Sequence, residues 1–101
     1  MRVFWTAAAQ QDRADIFDHI SLDNPLAALR MDELFADAVA RLAEFPLMGR
    51  GGKIAGTREL IPHPSYRLVY EVVDQAVWIL ALVHTARLWP PRRSEPNRPF
   101  D

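Results

Sequence analysis

Two runs rich in β-branched and aromatic residues, Tyr66–Val73 and Ala76–His84, stand only two residues apart. Asp74-Gln75 is too short for anything but a tight hairpin turn, so the two runs pair as antiparallel neighbours. Side chains alternate between the faces of a strand. Tyr66, Leu68, Tyr70 and Val72 therefore share one face, and Arg67, Val69, Glu71 and Val73 share the other. The first set predicts a core face covered by helices. The second predicts an open face carrying an arginine.

The cover comes from the first half of the chain. Ala28, Met31, Phe35, Ala38, Leu42 and Phe45 recur at spacings of three and four, the stripe of an amphipathic helix that must face something apolar. Asn24 caps this helix, and Pro25 takes its first position, where a missing N–H costs nothing. Pro46 and Gly49 end it. An earlier helix follows Thr6, a hydroxyl N-cap, with Ala9, Ile16, Phe17 and Ile20 on its apolar side. The short link through Asp23-Asn24 makes the two an antiparallel α-hairpin. Val3-Phe4-Trp5 is a short strand before it. Gly49–Gly56 reads as a glycine-rich turn region, and Thr57–Ile61 as a strand stopped by Pro62. The expected fold is α+β, in the order β-α-α-β-β-β. An antiparallel sheet of about four strands has the α-hairpin packed on one face.

Length and composition bound the function. The 101 residues fit one domain, placed at 1–89, with residues 90–101 a Pro/Arg-rich C-terminal tail in which Phe100 is a possible anchor. Hydrophobic residues at 50% and charged residues at 25% exclude disorder as the main state. The longest uncharged apolar run, Ala76–Val83, is far short of a membrane span, so no membrane partner is expected. The apolar N-terminal stretch is broken by Thr6 and followed by polar residues, which reads as a mature start and a cytoplasmic protein. There is no cysteine, hence no disulfide and no thiolate chemistry. Net charge is −1, against indiscriminate nucleic-acid binding. Residues 1–50 carry five arginines and eight acids, whereas residues 51–101 carry seven cations and five acids.

Simple motifs fail. His19, His63 and His84 have no metal-ligand spacing, so no metal and no cofactor is expected. Gly52-Lys53 has Leu47 where a phosphate loop needs glycine and Ile54 where it needs a hydroxyl. Asp12, Asp15 and Asp18 form an acidic stripe that reads as a solvated helix face. Glu59 and Glu71 read as solvated strand residues or local ion pairs. Trp5, Trp78 and Trp89 read as core or rim, with Trp89 the best placed to meet a partner.

The ordered set Phe45-Pro46-Leu47-Met48-Gly49-Arg50, Gly56-Thr57-Arg58-Glu59-Leu60, Tyr66-Arg67-Leu68-Val69-Tyr70 and His84-Thr85-Ala86-Arg87-Leu88-Trp89-Pro90 resembles the ParE/RelE superfamily of type II toxin–antitoxin toxins. The resemblance runs over roughly residues 2–90. It implies a growth-arresting toxin of the plasmid-stabilisation kind, neutralised by a cognate antitoxin whose C-terminal segment wraps it. The target it implies is DNA gyrase for a ParE-type member, with no catalytic site of its own. For a RelE-type member it is mRNA in the ribosome, cut by an endoribonuclease. A third reading is a domain that has lost toxicity and only binds an antitoxin.

Ribonuclease chemistry needs a base for the 2′-hydroxyl, an acid for the leaving oxygen and cations for the phosphorane. Carried over from RelE-type toxins, the cations are Arg58, Arg67 and Arg87, expected to converge on the open face. Leu60 stands where a second lysine is expected, and Arg93 where a tyrosine would come. An arginine stays protonated and is a poor base. Histidine as a residue type can exchange a proton near neutrality, but alternation places His84 with Trp78, Leu80 and Leu82. The reading leans to the ParE-type, non-enzymatic toxin. Trp89, Arg67 and Arg87 are then the residues expected to meet a partner.

Overall fold

The computed structural model describes residues 1–87, 89 and 90. The tail assigned to residues 90–101, with Arg93 and Phe100, lies outside the described residues except for Pro90. The chain runs β1 (Arg2–Trp5), α1 (Ala7–Ser21), α2 (Pro25–Glu44), β2 (Arg50–Gly51), β3 (Thr57–His63), β4 (Tyr66–Val73) and β5 (Ala76–His84). The sheet order is β1-β5-β4-β3-β2. All neighbours are antiparallel except β1 and β5. Among the described residues, no helix is long and apolar enough to cross a membrane.

The local signals act as their chemistry demands. Thr6 Oγ1 accepts from the Ala9 amide at 3.1 Å, and Asn24 Oδ1 accepts from Ala27 at 3.1 Å. Asp74 and Gln75 have φ of 49° and 63°, the doubly positive geometry that suits a two-residue turn to strand twist. The helices cover one face of the sheet. Ala9, Phe35, Ala38 and Leu42 pack with Tyr66, Leu68, Tyr70, Val77, Ile79 and Leu82 in one core. The two helices are pinned by Arg13, whose Nε and Nη2 donate to the Asp32 carboxylate at 2.6 and 2.9 Å. The same guanidinium lies 4.9 Å from the centre of the Trp5 ring.

Several expectations are corrected by long-range pairing. The sheet has five strands, because Arg50 and Gly51 pair with Glu59 and Arg58 at its edge. β3 does not stop at Pro62. It runs on to His63 through a register shift between Leu60 and His63. Proline is tolerated where a bulge removes the need for its N–H. Phe45 leaves the apolar stripe: at the helix exit its φ is −128°, and it is 59% exposed.

Candidate functional site

A second register shift decides which side chains share a face. Val69 pairs with Ala81 but Tyr70 pairs with Ile79, so Leu80 is an extra residue in β5. One inserted residue inverts the alternation. Trp78, paired with Glu71, lies opposite the helices and stacks on Phe4 at 4.9 Å. His84, paired with Tyr66, lies on the helix side with its ring 5.3 Å from that tyrosine. The expected grouping of His84 with Trp78 is therefore wrong. His84 Nδ1 accepts the Ala86 N–H at 3.0 Å, which occupies one ring nitrogen in holding the turn after β5.

The three arginines do not converge. Arg58 pairs across the sheet with Tyr70, on the helix side. Its Nη1 donates to the carbonyls of Gly49 at 2.8 Å and Leu47 at 3.3 Å. The Tyr70 hydroxyl completes this clamp by accepting from Gly49 N–H at 2.9 Å and donating to Pro46 O at 2.8 Å. Arg58 thus anchors the exit from α2. Leu60, paired with Leu68, packs against the core.

Arg67 lies on the opposite face. Its Nη1 is 3.5 Å from Glu59 Oε1, and Arg50 Nη2 approaches the same oxygen at 3.7 Å. Of the two readings of Glu59, the local ion pair holds and the solvated strand residue does not: its side chain is 2% exposed, and that of Arg67 12%. The reason is position. Glu59 sits between β2 and β4, opposite Arg50 and Val69.

Arg87 belongs to a third place, a cleft of about 860 Å³ at the end of β5, whose lining includes Asp12, His19, Tyr66, His84 and Trp89. Arg87 itself is exposed, and Trp89 is half-buried with its indole nitrogen buried and unpartnered among the described residues. β1 pairs with β5 only as far as Ile79. Beyond that, Asp12 takes the place of a strand: its Oδ2 accepts the Leu82 N–H at 3.1 Å. Burial raises the Asp12 carboxyl above its usual range. The Leu82 hydrogen bond lowers it in part, nearby Asp15 raises it, and Arg87 lowers it.

A raised carboxylate pKa means that the folded chain holds this proton more tightly than the unfolded one. Its stabilising effect is full below the ordinary value of 3.8 and is lost as pH rises through the folded pKa. The wild type should therefore gain on Asp12→Asn in urea midpoint between pH 6 and pH 3. A gap that stays constant over that range would contradict the assignment.

Asp12 was readable as more than a solvated acid, since it falls on the same helical face as Ala9 and Ile16. No local signal marks Glu59.

Over residues 3–89 the chain matches the family described as ParE toxin of type II toxin-antitoxin system, parDE. Toxin RelE2 of Caulobacter vibrioides is 41% identical over 87 residues, covering 86% of this chain and 98% of the relative. The protein Y4kP of Sinorhizobium fredii is 35% identical over 89 residues, covering 88% and 93%. Among solved structures, the chromosomal ParDE TA system from P. aeruginosa aligns with TM-score 0.73 and 25% identity, over 83% of this chain and 95% of that one. A YoeB/ParE toxin from Agrobacterium tumefaciens shares the fold, with TM-score 0.61 and 21% identity over 83% and 98%.

Proposed function

This chain belongs to the ParE toxin family of type II toxin–antitoxin systems, and from that premise we propose that it arrests growth by inhibiting DNA gyrase through surface contact, without a catalytic site of its own. Membership of a type II family implies a cognate antitoxin that holds the toxin silent.

The observation that carries the reading is the dispersal of Arg58, Arg67 and Arg87. Cleaving RNA at a 2′-hydroxyl requires cations gathered on one phosphorane, with a base and an acid beside them. Here Arg58 is committed to backbone carbonyls, Arg67 faces a buried carboxylate, and Arg87 lies by the cleft on α1. His84, the histidine at the end of β5, packs against Tyr66 on the helix side, whereas Arg67 is on the other face.

A second reading, a RelE-type ribosome-dependent mRNA endoribonuclease, draws on the relative named Toxin RelE2 at 41% identity. The two separate in cells. Induced expression of this chain alone should stop growth and switch on an SOS reporter, because poisoned gyrase leaves broken DNA. Arrest with a silent reporter that still answers a DNA-damaging control would move the target to translation. No arrest, with soluble protein confirmed, would leave an antitoxin-binding domain without toxicity.

A further inference from the structure

On the sheet face away from the helices, β2, β3 and β4 set Arg50, Glu59 and Arg67 side by side. Arg50 on β2 and Arg67 on β4 flank β3, and two guanidinium groups that converge on one point suit a phosphate, since each offers a planar fork of donors. Here both approach one oxygen of Glu59. We infer that Glu59 is the residue that closes this face to phosphodiesters, so that a single neutral replacement opens an anion site on it. The inference rests on the gyrase reading, because an RNA-cutting toxin would use Arg67 with Glu59 in place.

The physical case is one of occupancy and charge. Glu59 Oε1 lies 3.5 Å from Arg67 Nη1 and 3.7 Å from Arg50 Nη2, where a phosphate oxygen would otherwise sit. The carboxylate is almost out of water, so its repulsion of a second anion is weakly screened. The arginines keep donors that Glu59 Oε1 does not take up. Arg67 Nε is buried with no partner among the described residues, and Arg50 is 67% exposed at the sheet edge. Arg50 is the solvent-exposed member of the cluster. Glutamine at position 59 keeps the side-chain volume and one acceptor oxygen, removes the charge and turns the other oxygen into an NH2 donor.

The test is binding of the full chain to a labelled, unstructured RNA 12-mer and to the matching DNA, followed by fluorescence anisotropy across a salt series. Glu59→Gln should bind both about tenfold more tightly than the wild type. Its salt dependence should steepen by about 0.7 in log–log slope for each phosphate gained. Adding Arg67→Ala to that variant should abolish the gain. Equal binding by wild type and a folded Glu59→Gln overturns the inference, as does a gain that survives Arg67→Ala. A gain for RNA but not DNA also overturns it, because it points to recognition of the 2′-hydroxyl instead of the shared backbone.

Should Glu59→Gln not fold, the exposed Arg50→Ala variant carries the test on the native background. It should leave oligonucleotide binding unchanged within about twofold, and a larger loss shows that the face already binds phosphate. None of these outcomes depends on the SOS reporter, so failure here and failure of the gyrase reading are told apart.

Discussion

Gly49→Ala is expected to lower the thermal midpoint by about 10–20 °C, corresponding to about 3 kcal/mol in a domain of this size. Gly49 is buried where the exit from α2 passes under β3 and β4. A Cβ there would stand 2.7 Å from the Tyr70 hydroxyl and 2.8 Å from the Glu59 carbonyl oxygen. One of these neighbours is backbone and cannot swing away. The other is the hydroxyl that accepts Gly49 N–H and donates to Pro46 O. Displacing it strands buried polar groups, a cost of about 1–3 kcal/mol added to the overpacking itself. Gly51→Ala is the matched control. Its Cβ would meet nothing within 4 Å, so its midpoint should barely move. If calorimetry finds the two variants alike, the clamp around Tyr70 is not what holds this loop.

The other large effect is expected at Phe35. Phe35→Ala should cost about 3–5 kcal/mol, read from urea midpoints with the slope unchanged. Phe35 is 1% exposed and meets the Tyr66 ring edge-on at a centroid distance of 5.6 Å. It carries the contact between the middle of α2 and β4, where the neighbouring helix residues Ala38 and Ala28 are too small to fill the gap. The loss combines lost burial, a residual cavity and the edge-to-face pairing. Folded domains hold about 5–15 kcal/mol in reserve, so this one truncation removes a large part of it. A cost below about 1 kcal/mol would mean that α2 closes over the space, and that the stripe is less tightly registered on the sheet than its burial indicates.

These two sites show where the chain's sequence is transparent and where it is not. Phe35 is legible because a stripe repeating every three or four residues has one physical reading, a helix with a covered face. Gly49 is half legible: a glycine just past a helix reads as a terminator, but its closeness to Tyr70 depends on a strand 21 residues away. For the arginines the limit is sharper. Arg67 was placed opposite the core by strand alternation alone, and it is there. The family resemblance puts Arg58 and Arg87 on the same face, and neither is on it.

What the sequence determined by itself is what nearest neighbours along the chain decide. The hairpin at Asp74-Gln75, the caps Thr6 and Asn24, the α-hairpin and the core face of β4 rest on residues within a turn or two of one another. The family resemblance rests on motifs of the same local kind. The tertiary structure decided the rest through register. An extra residue at Leu80 inverted the end of β5, and the pairing of Arg50 with Glu59 made a fifth strand. That pairing also placed an acid with two arginines, and the end of the β1–β5 pairing at Ile79 left Leu82 for Asp12 to cap. A one-residue slip exchanges the two faces of a strand at little local cost. Only packing against distant elements, where the wrong face would bury charge and expose the core, selects between the two.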